Sequence, residues 1–152
     1  MVQRRNSSMT QEIEKSDILL SYPFEQMEPF LRLLKEAAAD PEVMSIKITI
    51  YRLANKSKLV EYLCAAAENG KDVLVLVELK ARFDEERNIT WAEELEKEGV
   101  NVVYGFIGLK VHAKLCLVVR REAGHITRYV HIGTGNYNAA TAKIYTDMGL
   151  IT

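Results

Sequence analysis

The apolar positions of this chain fall into runs of helical and of strand period, and the switches between them mark out the elements. Residues 1 to 16 hold Arg4, Arg5, Ser7 and Ser8 without a sustained period, which predicts a frayed or loosely helical lead-in, with order beginning near Ile18. Phe30, Leu33, Leu34 and Ala37 recur at helical spacing behind Pro29, a proline tolerated in a first turn, and Asp40-Pro41 ends the run. Met44 to Tyr51 alternates as a strand with Ile46, Ile48 and Ile50 on one face and Lys47, Thr49 and Tyr51 on the other, and Arg52 leaves its end. Ser57 is placed to cap a helix through Leu59, Leu63 and Ala66, stopped by Asn69-Gly70. Val73 to Leu79 is apolar on both faces, the mark of a strand covered on both sides. A helix from about Ile89 to Glu98 and a short strand, Val100 to Tyr104, complete a βαβαβ arrangement.

At Lys110 the pattern changes. Leu109 to Leu115 reads as a buried strand containing His112 and Lys114, and the strands Val111 to Arg120 and Ile126 to Ile132 predict an antiparallel hairpin about a short polar loop. A final helix, about Ala139 to Tyr145, is expected to start at Asn138 after the turn Gly133-Thr134-Gly135-Asn136. The expected fold is α/β: a mixed β-sheet flanked by helices on both faces, one domain spanning residues 17 to 152.

Composition narrows the function. A chain of 152 residues buries a sizeable core, and a formal net charge of -1 argues against a general electrostatic grip on nucleic acid or a membrane surface. A polyanion must therefore be met in a pocket. Cys64 and Cys116 have no metal-site spacing and read as core residues in a reducing compartment. No segment approaches the length of a membrane span, and Met1 to Asn6 lacks the apolar core of a signal peptide, so the expected location is cytoplasmic.

The candidate chemistry sits at strand ends, where open α/β sheets bind ligands. His112 and Lys114 are two residues apart, so on a strand they share a face. An imidazole nitrogen attacks phosphorus and a neighbouring ammonium stabilises charge gathering on phosphoryl oxygens. Arg52, Lys80 and Arg82 follow the first two strands of the sheet, and guanidinium forks hold phosphate oxygens in bidentate fashion. Each alone is an ordinary surface residue, and Glu78, Asp84, Glu85 and Glu86 are available to pair with the arginines. His131, between Val130 and Ile132, reads as a core histidine, and His125 as solvated. Asn136 and Asn138 lie in a glycine-rich turn of the kind that points backbone N–H groups at an anion.

The His112-x-Lys114 pair followed by Gly133-Thr134-Gly135-Asn136-Tyr137-Asn138 resembles the phospholipase D superfamily signature, whose histidine is a covalent phosphorus nucleophile. Val119 stands where that family places an aspartate, which weighs against phosphodiester hydrolysis. A closer resemblance is to bacterial polyphosphate kinase. It is carried in order by Tyr22-Pro23-Phe24, Ile48 to Arg52, Val77 to Glu85, Gly108 to Lys114, Tyr129 to Asn138 and Tyr145-Thr146-Asp147, over about residues 14 to 152. Ser21 stands where the family usually has histidine.

That resemblance implies transfer of the γ-phosphate of ATP to polyphosphate, reversibly, with His112 as the phosphorylated residue and Lys114 neutralising the transferred group. Arg52 and Arg82 match arginines of the family's Mg2+ and phosphate neighbourhood, and lacking acceptor atoms they read as phosphate clamps beside the ion. Tyr145 matches a nucleotide-contacting tyrosine and His131 a second family histidine. It further implies a longer, homo-oligomeric parent whose following domain completes the site, so that this chain is a fragment and by itself a poor catalyst. The competing readings are a phospholipase D-like phosphodiesterase and a non-catalytic polyphosphate-binding module.

Overall fold

The computed structural model describes residues 7–51, 53, 57–78 and 85–152, and side chains within the last span from residue 89. Its strands are β1 (Ile18–Tyr22), β2 (Val43–Ile50), β3 (Asp72–Val77), β4 (Asn101–Tyr104), β5 (Lys114–Glu122), β6 (His125–Gly133) and β7 (Asp147–Ile151). They form one mixed sheet in the order β1-β7-β6-β5-β2-β3-β4. Its helices are α1 (Met9–Lys15), α2 (Glu28–Ala39), α3 (Lys58–Glu68) and α4 (Glu85–Lys97). The β2-α3-β3-α4-β4 half is parallel and the β5–β6 hairpin antiparallel, as the sequence predicted, and the remaining pairings are antiparallel too. Ser57 caps α3 by accepting from the Leu59 N–H, and Pro29 lies in the first turn of α2. The β5–β6 hairpin turns through Ala123 and Gly124, both at positive φ, and toward the turn β5 runs two residues and β6 one residue further than the polar loop suggested.

Four expectations change. The lead-in, expected to be frayed or loosely helical, holds a capped helix: Ser8 and Gln11 form a capping box at the start of α1, and Met9 and Ile13 are buried. The Met9 N–H donates to Glu36 on α2, which fixes the helix against the core. β1 and β7, read as neither strand beforehand, pair with each other from Ile18↔Ile151 to Tyr22↔Asp147. The final helix, expected over Ala139 to Tyr145, shrinks to a 3-10 turn, Thr141–Lys143, entered through Asn138, whose side-chain oxygen accepts from the Ala140 and Thr141 N–H groups.

The fourth concerns the faces of the sheet. Ile46, Ile48, Ile50, Val73, Val75, Val77, Cys116, Val118, Tyr129 and Ile151 all point to one face and, with the inner sides of the helices, make a single core. The opposite face, expected to carry helices too, is open among the described residues. Leu115 stands opposite Ile132, Ile132 opposite Leu150, and Leu150 opposite Leu19, a row in which Leu19, Leu115 and Ile132 remain exposed. β3 is apolar on both faces, as the sequence shows, but among the described residues one face of the sheet meets no helix.

Candidate active site

Lys114 is the first residue of β5 and His112 lies just before it, in a stretch without regular structure. The predicted buried strand over Leu109 to Leu115 is therefore corrected. Leu109, His112 and Ala113 are exposed, and only from Lys114 does pairing with β6 begin, at Gly133. The pair still converges. Lys114 folds back so that Nζ donates to the His112 carbonyl at 2.6 Å and lies 3.0 and 3.1 Å from the two ring nitrogens. Burial pushes the Lys114 pKa below the ordinary lysine value, while the nearby Asp147 carboxylate pulls the other way. An exposed imidazole beside a largely buried ammonium is thus held within reach of solvent.

Tyr51 forms the platform. Its ring meets the His112 ring edge to face at 4.9 Å between centroids, with Lys114 Nζ at 5.4 Å and Lys110 Nζ at 5.5 Å from the ring centre. Tyr51 and Asp147 were not singled out by sequence. The signal available was their presence in the same ordered blocks as His112, at Ile48 to Arg52 and Tyr145 to Asp147. Arg52, Lys80 and Arg82 lie outside the described residues.

His131 belongs to a different part of the structure. It is buried, its Nδ1 lies 2.9 Å from the Tyr137 hydroxyl, and its ring packs on Phe30 at 4.4 Å. Burial holds its pKa down at about 4, so the ring is neutral. The adjoining cavity, about 10 Å3, is lined by Tyr22, Phe30, His131, Asn136, Tyr137 and Asp147 among others and is far too small for a phosphoryl group. The core reading of His131 matches this geometry. Two glycines serve close approach: a Cβ on Gly135, in the turn, would sit 2.6 Å from Asp147 Oδ2, and one on Gly149, in β7, would sit 2.8 Å from His131 Nε2.

The remaining predicted contacts divide. Asn138 uses its side-chain oxygen to accept from the Ala140 and Thr141 N–H groups, and the Asn136 oxygen is buried without a hydrogen-bond partner among the described residues. Asn138 thereby organises the turn. Tyr145 is exposed at 61% and free to receive a planar ligand. Thr134 donates to Asp147 at 2.8 Å, tying the turn to the start of β7 near Lys114. For magnesium the donor set is poor: among the described residues no group of three or more His, Cys, Asp or Glu is gathered to hold a metal ion. An ion arriving on the phosphates of a nucleotide would come as part of the substrate.

Residues 8–152 match the family model described as "Polyphosphate kinase C-terminal domain 1". Over 140 residues, 92% of the chain, it is 57% identical to a polyphosphate kinase of Halalkalibacterium halodurans, and over 141 residues it is 58% identical to that of Synechocystis sp.. The chain spans about a fifth of the length of these curated relatives. The crystal structure of the Porphyromonas gingivalis polyphosphate kinase superposes with a TM-score of 0.83 at 42% identity, covering 99% of this chain and 25% of that one. A phospholipase D family member, Nuc from Salmonella typhimurium, superposes with a TM-score of 0.65 over 90% of this chain and 81% of its own, at 16% identity, a likeness of fold alone.

Proposed function

Because the chain belongs to the polyphosphate kinase family through its C-terminal domain 1, we propose that it carries the phosphoryl-accepting half of an ATP:polyphosphate phosphotransferase, with His112 as the nucleophile. The observation that carries this reading is the contact of Lys114 Nζ with both ring nitrogens of an exposed His112. An ammonium that rests on an imidazole is already where the oxygens of an incoming phosphoryl group must lie.

In the forward direction a ring nitrogen lone pair attacks the γ-phosphorus of ATP. The N–P bond forms as the bond from that phosphorus to the β,γ-bridging oxygen breaks, and ADP leaves with the electron pair. A terminal oxygen of polyphosphate then attacks the same phosphorus, the N–P bond breaks, and the imidazole is restored with the polymer one phosphate longer. Most of the acceleration comes from positioning and from cations on the phosphoryl oxygens. Lys114 supplies one, Lys110 stands beside it, and Arg52 and Arg82, which match family arginines, serve as clamps on the phosphates. Magnesium enters on ATP. Tyr145 offers its exposed ring to the nucleotide base, while His131 and Asn138 hold the turn behind it. The rest of the protein contributes further cations, so the chain alone binds polyanions and turns over poorly. No helix among the described residues is long and apolar enough to cross a membrane. Cys64 and Cys116 are free thiols, which fits a reducing cytoplasm supplied with ATP.

The test uses the full-length enzyme with ATP labelled at the γ-phosphorus. His112→Ala is expected to abolish acid-labile label on the protein, and Lys114→Met to slow its appearance about 10²-fold or more. Labelling of His112→Ala at the normal rate would remove His112 from the nucleophile's place.

A further inference from the structure

His112 lacks the support of a strand, yet its backbone is fixed on both sides. The ladder between β2 and β5 ends at Ile48↔Cys116. Beyond it the Thr49 hydroxyl takes over, donating to the Ala113 carbonyl at 2.6 Å and accepting from the Leu115 N–H at 3.1 Å. A hydroxyl is the smallest side-chain group able to do both at once. On the other side of His112 the buried carboxylate of Glu78, at the end of β3, accepts from the Val111 N–H at 2.7 Å. The two anchors come from neighbouring parallel strands, and the residue between them projects its ring toward solvent.

We propose that Thr49 is a positioning residue for His112: its hydroxyl, with Glu78 opposite, clamps residues 111 to 115 so that the imidazole is held ready for in-line attack. The proposal rests on the reading of His112 as the nucleophile. It adds that the catalytic geometry is set from β2 and β3, not by the sheet pairing of the segment itself. A stretch fixed only at Lys114 would let the ring wander by an ångström or more, and displacements of that size cost rate steeply. Thr49 lies in the middle of a strand pattern and reads there as an ordinary β-former, which hides the role of its oxygen.

The experiment compares Thr49→Val, which keeps shape and loses the hydroxyl, with Thr49→Ser, which keeps the hydroxyl, in the full-length enzyme. Thr49→Val is expected to slow single-turnover labelling of the protein by γ-labelled ATP 10- to 100-fold, with KM for ATP changed less than twofold. Amide exchange at Leu115 should speed up in parallel, and Thr49→Ser should recover most of the rate. Unchanged exchange at Leu115 in Thr49→Val overturns the clamp, whatever the activity. Faster exchange with full-rate labelling overturns its positioning role while leaving the nucleophile intact, provided that His112→Ala is unlabelled. Labelling of His112→Ala overturns the nucleophile, and the role given to Thr49 falls with it.

Discussion

The imidazole of His131 and the hydroxyl of Tyr137 meet 2.9 Å apart inside the core, six residues from each other along the chain and on either side of a glycine-rich turn. Phe30 closes the group from α2, stacking on Tyr137 at 4.7 Å. The contact draws the far end of the turn back onto β6. It also makes the turn's shape depend on a titratable ring.

That dependence predicts how stability responds to acid. With a folded pKa of about 4 against an unfolded value of about 6.5, the ring gives up its proton on folding throughout that interval. The unfolded state binds more protons there, so stability falls as pH drops from about 6.5 toward 4, by up to about 3 kcal/mol. Glu122 is held below the carboxylate range by the Tyr129 hydroxyl and Arg120. Asp40, despite its burial, is held there by Arg120. Their share is fully present above the ordinary carboxylate pKa and disappears only below it, so the interval from pH 7 to 5 isolates the histidine. Denaturant unfolding at those two pH values should differ by about 2 kcal/mol in the parent and by much less in His131→Gln. Equal differences in the two proteins would contradict a neutral, buried ring.

Phe30 is fully buried beneath both rings. Truncation to Ala removes the wall on which they pack and should cost about 3–5 kcal/mol, read from the unfolding midpoint at constant m-value. A loss under about 1 kcal/mol would mean that the aromatic group does not organise this end of the core.

Gly149 offers a complementary probe. A methyl there must displace His131, since the nearest ring atom would lie at 2.8 Å. Gly149→Ala is expected to destabilise the protein by about 1–3 kcal/mol and to shift the ring resonances of His131 and Tyr137. Unshifted rings would show that the approach of β7 to the histidine is looser than the structure has it.

The N-terminal segment carries its own prediction. Met9 is 1% exposed against α2, so Met9→Ala should cost about 2–5 kcal/mol, the range for a buried long side chain. A truly frayed segment would give no measurable loss on thermal unfolding.

These residues also show what sequence conveys and what it withholds. The helices and the parallel strands announced themselves because their apolar spacing repeats over many residues, and Ser57, Pro29 and Asp40 mark their ends by local chemistry. β1 and β7 escaped notice because each is five residues long and makes sense only beside the other, at opposite ends of the chain. α1 is too short for its period to show, although Ser8 and Gln11 carried the capping signal. His112 and Lys114 were identifiable as a pair, but the apolar neighbours that suggested a buried strand belong to an exposed stretch. Tyr51 and Thr49 gave no sign of their roles, since a platform ring and a bridging hydroxyl look like ordinary strand residues until the fold sets them beside the histidine.

The pairing of β1 with β7 has a consequence for biosynthesis. A ribosome releases Ile18–Tyr22 early, and its hydrogen-bonding partner only after more than a hundred further residues have been joined. During that wait its backbone donors and acceptors are left to water, to chaperones or to neighbouring nascent chains, and this edge of the sheet can close only once β7 has been made.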